Sequence, residues 1–340
     1  MKKSKIITII TLIITLLAGC GARDVDTKFT PHYANKHEVT YSEDSVNNFS
    51  FTEEIGTAAE FSEELQSETI TEIEEGMFQY LVETYNLDWE FVPTKVVLLD
   101  FSRVGNGQYS SFAAMADPQY KTVYINILII QDVFNIVYRL AHELIHCMIY
   151  YNEGQMDFVL ENSEGNIIGY YVSEAYADII AAEYLESIGE ENPIDYFLNG
   201  SGYCYTVVAL QVLEHSITGK EMYLRNDMES FYTELKDLSE QHIVDADTVD
   251  YAKIFLSQAD MNLRTSQQII YSDTTEEFQQ LRKDFLYTLF GNFEIVLAVS
   301  DGLNAKEEEV VFEYINHVFE LEGKNNDVQK ELECLKNCLE

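Results

Sequence analysis

The sequence predicts an α+β fold: a small mixed sheet, then one long apolar helix, then a mainly helical C-terminal half. Three observations lead there. Two short β-rich runs, Lys95–Phe101 and Thr122–Leu128, fit buried strands. The stretch after Asp132 is apolar at helical spacing, through Phe134, Val137, Tyr138, Ala141, Leu144, Ile145 and Met148. Beyond Tyr203, apolar residues keep recurring in amphipathic helical stretches.

Taken in chain order, Met1-Lys2-Lys3-Ser4-Lys5 is a positive start, and Ile6–Ala18 is an apolar run too short to span a bilayer. Leu17-Ala18-Gly19-Cys20 follows and resembles a bacterial lipobox. That resemblance implies cleavage before Cys20, lipid on Cys20, and residence at the extracytoplasmic face of a cell membrane. Several acyl chains would make such an anchor stable. The alternative is an ordinary secretory signal with a cysteine nearby. Residues 1–19 thus read as a signal peptide, and the polar residues 20–50 as a tether.

From about Ala58 to Tyr85, Phe61, Leu65, Ile73, Met77, Leu81 and Tyr85 mark the buried stripe of a helix. Lys95–Phe101 supplies a strand. Tyr109–Ala116 can form an edge strand that turns at Asp117-Pro118, and Thr122–Leu128 supplies another strand. Asp132 is placed to cap the helix that follows. Residues 154–169 are polar and read as a connector or as the rim of a cleft. A second helical stretch opens near Ser173, a reasonable N-cap, and Gly189 is a plausible stop. Val207, Leu210 and Leu213 form the core face of a helix from Tyr203 to His215, with a break at Gly219. Ile254, Phe255, Phe278, Leu281, Phe285 and Leu289 continue the helical pattern, as do Val310, Phe312, Ile315 and Phe319.

The chemistry sits in His142-Glu143-Leu144-Ile145-His146. Two histidines four apart on a helix lie one above the other, so both rings can reach one zinc ion. Glu143 projects to the side, where a general base can take a proton from water at the metal. Buried and unpaired, these groups would cost several kcal/mol, so they need a partner such as a metal. A catalytic zinc needs a third protein ligand. Glu174 and Asp178 share one face of the second helix, with Ala177 and Ala181 beside it to permit a close approach. Glu174 then completes a His142, His146, Glu174 ligand set for one Zn²⁺ per chain. Asp178 accepts a hydrogen bond from a ligand histidine and fixes its tautomer. A donor for the oxyanion is wanted as well, and His215 and Tyr205 are candidates.

H-E-L-x-H followed by S-E-A-x-x-D resembles the gluzincin metallopeptidases, with a thermolysin-like pattern over roughly residues 132–187. The resemblance implies a zincin-like fold. It also implies His142, His146 and Glu174 as zinc ligands, Glu143 as base and Asp178 as support. By the same analogy, an extended substrate pairs with a strand bordering the cleft, either Gln108–Ala116 or the strand after it. Residues 51–200 would be the zincin-like catalytic region, and 201–340 a mainly helical region completing the cleft. The implied activity is zinc-dependent hydrolysis of peptide bonds in a peptide or protein substrate.

Composition bounds the partners. With 21 basic and 59 acidic residues the chain carries −38, which disfavours nucleic acid and anionic lipid heads. Contact with the membrane is expected only through the N-terminal lipid, and a monomer is expected. Cys147 reads as a small core residue, and no C-x-x-C pair suggests a structural zinc finger. Two other function classes stand beside the peptidase. One is a catalytically inactive zincin-fold lipoprotein that binds a peptide or protein partner. The other is a surface lipoprotein in which H-E-x-x-H arose by chance.

Overall fold

The structure, a computed structural model, describes residues 68–99, 101–103, 112–126, 133–155, 158–161, 167–189, 204–214, 216–242, 250–257, 259–260, 276 and 280. Cys20, the expected signal and tether, Asp132, His215 and the expected helical stretches beyond Phe278 lie outside the described residues. Within them the protein is mostly helical, with one small mixed sheet. No helix among the described residues is long and apolar enough to cross a membrane.

Helix α1 (Glu68–Tyr85) buries Ile73, Met77, Leu81 and Tyr85, the stripe expected from their spacing. Asn86 stops it in the left-handed region at φ 49°, and the Leu87 N–H then reaches back to the Val82 carbonyl at 3.2 Å. This is a Schellman-type end with asparagine in the place glycine usually takes.

Strands β1 (Lys95–Leu99), β2 (Ala114–Asp117) and β3 (Thr122–Asn126) form the sheet in the order β1-β3-β2. β1 runs parallel to β3 and β2 antiparallel, in the register Lys95 to Thr122 and Ala114 to Ile125. A short turn at Pro118–Tyr120, closed by Lys121 at φ 50°, returns the chain from β2 to β3. All five residues of β3 are buried. β3 is therefore interior, although it is the last strand before the long helix. Of the two strands considered for substrate pairing, only β2 lies at an edge of the sheet among the described residues. The Asn126 side chain secures the approach to that edge by donating to the Phe112 carbonyl at 2.8 Å.

Helix α2 (Val133–Glu153) packs on β2 and β3 and against α1 and the helix that follows it in the core. Leu140, Ala141, Leu144, Ile145, Cys147, Met148 and Ile149 are all buried. Cys147 is a free thiol within that core, as its apolar neighbours suggested. Gly154, at φ 82°, ends α2 with its N–H on the Tyr150 carbonyl. The connector contains a two-residue antiparallel pair, β4 (Leu160–Glu161) with β5 (Ile167–Ile168).

Helix α3 (Tyr170–Ser187) begins three residues before the expected Ser173 cap. The reason is tertiary. Asp260, fully buried and distant in sequence, accepts hydrogen bonds from the Gly169 N–H at 2.7 Å and the Tyr171 N–H at 2.9 Å. A carboxylate on the positive end of a helix satisfies donors that the helix cannot. Gly169 itself sits at φ 90°, and Ser173 is buried inside the helix. The stop falls as expected, with Gly189 at φ 94° just past the end.

Three helices complete the described part: α4 (Cys204–Leu213), α5 (Gly219–Leu224) and α6 (Met228–His242). A further helical segment covers residues 251–257. Val207, Leu210, Leu213 and Phe255 are buried, as their spacing required. Gly219 opens α5 rather than merely breaking the chain. A Cβ there would fall directly on the Tyr176 hydroxyl and 2.6 Å from the Glu214 carboxylate. Around this point Phe158, Tyr176, Tyr223 and Phe231 pack ring on ring, with centroids 5.5–6.2 Å apart. Such pairs contribute about 0.5–1.5 kcal/mol each beyond their burial.

Two predictions concern this corner. Gly219→Ala should lower the unfolding free energy by about 1–3 kcal/mol, read by urea denaturation, because a rigid buried ring must move. Burial pushes the Glu214 carboxyl up to about 7, against the Lys220 charge and the hydrogen bonds from the Tyr176 hydroxyl and Lys220 N–H. A carboxyl that holds its proton more tightly when folded loses that contribution as pH rises from its unfolded value. Thermal midpoints measured across pH should therefore decline between about 4.5 and about 7. In Glu214→Gln that part of the slope should vanish.

Candidate metal centre

The site lies where α2 meets α3. On α2, the i, i+4 spacing brings the rings of His142 and His146 together edge to face, with centroids 5.0 Å apart. On α3, the same spacing turns Glu174 and Asp178 toward them. Ala175, Ala177, Ala181 and Ala182 are buried along α3, and such short side chains let the two helices come close. Both histidines are nearly solvent-free, Asp178 is fully buried, and the Glu174 side chain keeps 15% of its surface exposed.

The distances define a compact donor set. His142 Nε2 and His146 Nε2 are 3.3 Å apart. His142 Nε2 is 3.3 Å from Glu174 Oε2, and His146 Nε2 is 3.6 Å from Glu174 Oε1. A tetrahedron with bonds of about 2.0–2.1 Å has edges of about 3.3–3.4 Å. Two nitrogens and one carboxylate at these spacings could hold one metal ion, with a fourth position left to a small molecule. The residues fit such an ion.

Asp178 Oδ1 lies 2.7 Å from His142 Nδ1. An ionised carboxylate only accepts, so the Nδ1–H donates to Asp178, and Nε2 is the ring nitrogen that faces Glu174 and His146. Electrostatics separate the two rings. Burial works against a charge on His142, but the Asp178 carboxylate and the Glu174 contact outweigh it and hold its pKa up at about 10. His146 has no carboxylate on Nδ1, and burial pulls it down to about 4.

Glu143 lies on the neighbouring face of α2. Burial raises its carboxyl to about 7. The charge of Glu174 adds to that shift, while His142, Arg139 and a hydrogen bond from the Ala116 backbone N–H oppose it. The last contact is informative. Ala116 belongs to β2, so the edge strand holds the carboxylate that sequence reasoning named as base.

The structure thus brings together His142, His146, Glu174, Asp178 and Glu143. It does not do so for the two oxyanion candidates. His215 lies outside the described residues. Tyr205 falls in α4, but its side chain is outside them too. Sequence reasoning missed three participants: the Ala116 N–H, Arg139 and Tyr223. Arg139 could have been found, since it stands one helical turn before Glu143. Ala116 and Tyr223 are joined to the site only by tertiary packing. The Tyr223 hydroxyl is 3.3 Å from His146 Nδ1.

Against family models, curated proteins and solved structures, the chain finds no match. Its own residues therefore carry the functional argument.

Asp178→Asn keeps the shape but loses the charge that holds the His142 tautomer. It should weaken binding of a divalent transition ion about 10–100-fold, measured by competition with a chromophoric chelator.

Proposed function

We propose that this protein is a zinc-dependent peptidase of gluzincin type, with a zincin-like arrangement of sheet edge and ligand-bearing helices. The observation that carries the reading is the convergence of His142, His146 and Glu174, with donor atoms 3.3–3.6 Å apart, beside a carboxylate held by strand β2. Two imidazoles and one carboxylate with an open position match catalytic zinc better than calcium or magnesium, which prefer oxygen donors. They also lack the thiolates of a closed structural site.

Bound there, a zinc ion would supply a Lewis acid and bring the pKa of water toward neutrality. The chain's own residues would do the rest. Asp178 keeps His142 in the tautomer that presents Nε2. Glu143 takes a proton from the attacking water as its oxygen bonds to the peptide carbonyl carbon. When the C–N bond breaks, Glu143 gives that proton to the leaving amine. The Ala116 N–H steadies the carboxylate through both transfers. The same edge strand would align an extended peptide by backbone pairing, which accounts for the base being tied to it.

With the lipobox-like Leu17-Ala18-Gly19-Cys20, the reading extends to a lipid-anchored enzyme acting on peptides or proteins at the outer face of a bacterial membrane. The presence of Glu143, held by Ala116, supports an enzyme over a zincin-fold protein that only binds a partner.

The test is one variant with two readouts. Glu143→Gln should keep about one zinc per chain by elemental analysis and lose about 10²–10⁴-fold in turnover of a peptide library followed by mass spectrometry. A chelator should abolish the wild-type signal. Undiminished cleavage by the variant, or cleavage indifferent to the chelator, would end the proposal.

A further inference from the structure

His146 needs its Nδ1–H satisfied as much as His142 does, yet among the described residues no carboxylate reaches it. The group there is Tyr223, fully buried, its hydroxyl 3.3 Å from His146 Nδ1. That hydroxyl also shares a hydrogen bond with Ser173, the residue immediately before Glu174. The Tyr223 ring has little freedom. It stacks on Tyr176 with centroids 5.6 Å apart and planes at 21°, and meets Phe158 edge-on at 5.5 Å.

We infer that Tyr223 is a positioning residue of the metal centre: its hydroxyl, which also contacts Ser173, accepts the Nδ1–H of His146, and this leaves Nε2 free for the ion. This rests on the metal-binding reading above. The direction of the chain follows from the ion. A ring that binds metal through Nε2 must carry its proton on Nδ1, so the phenol oxygen accepts there and donates elsewhere. Since Nδ1 points away from Nε2, the hydroxyl lies on the far side of the ring from the ion. Tyr223 therefore acts through His146 and does not touch substrate.

The two histidines are thus held by unlike partners. Asp178 gives His142 a charged acceptor, and Tyr223 gives His146 a neutral one. The Ser173 contact also ties the second ligand's ring to the helix that bears the third. A shift of α3 would then move Glu174 and the His146 partner together.

The experiment compares Tyr223→Phe with Tyr176→Phe in the mature chain, using Zn²⁺ alone and Co²⁺ alone as probes. Both variants keep their rings, and Tyr176→Phe loses only a hydroxyl bonded to Glu214. Tyr223→Phe should bind Zn²⁺ about 10–100-fold more weakly, the range for losing the partner of a ligand histidine. Its Co²⁺ visible absorption should shift in band position as the ring turns. Tyr176→Phe should match wild type in both. Equal affinity and an unchanged Co²⁺ spectrum in Tyr223→Phe would overturn the assignment, as would equal losses in the two variants. Should Tyr223→Phe not fold, Ser173→Ala reads the same chain from its other end, and unchanged affinity there overturns it as well. A wild-type chain that binds zinc but cleaves no peptide would end the peptidase reading and leave Tyr223 in its role. A wild-type chain that binds neither ion would end both.

Discussion

The contact between α2 and α3 is the constraint on which the site depends. There Asp178 on one helix reaches His142 on the other at 2.7 Å, along a helix whose Ala175, Ala177, Ala181 and Ala182 are buried. Asp178 is fully buried, and an unpaired carboxylate in that position would be costly. Its bond to His142 satisfies the acid and orients the ring in one contact. The position of Glu174, one turn earlier, then follows from helix geometry alone. Stability and metal geometry are thus set by the same pair of surfaces.

The sheet enters the site through one edge. β3, wholly buried, serves as a base for α2. β2 lies outside it and gives a backbone N–H to Glu143. That contact joins the sheet to Glu143. It also explains why the turn at Pro118–Tyr120 is tight: β2 must stay in register with β3 for Ala116 to face the helix.

Much of this was legible in the sequence where function follows from spacing. His142 and His146, and likewise Glu174 and Asp178, sit four apart, and a helix turns that number into a shared face. The strands at Lys95 and Thr122 announce themselves as β-rich runs, and Gly189 marks a helix end through its backbone freedom. What remained hidden was tertiary. Ser173 looked like a cap because serine often caps, yet Asp260, almost ninety residues away, supplies the acceptors and moves the start to Tyr170. The interior place of β3 could not be read from its position as the last strand before the helix. Tyr223 is one of 23 tyrosines, and nothing local distinguishes it. Gly219 reads as a break until the Tyr176 hydroxyl is found where its side chain would be.

Asp260 also redraws the boundary of the smallest unit that can fold. The recognisable motif ends near Ser187, and a chain trimmed to it would keep every proposed ligand. It would also leave the Gly169 and Tyr171 amides without their acceptor, at the mouth of the helix that bears Glu174. Asp260 is therefore scaffold for the centre rather than appendage, and recombinant fragments of this protein have to include that aspartate.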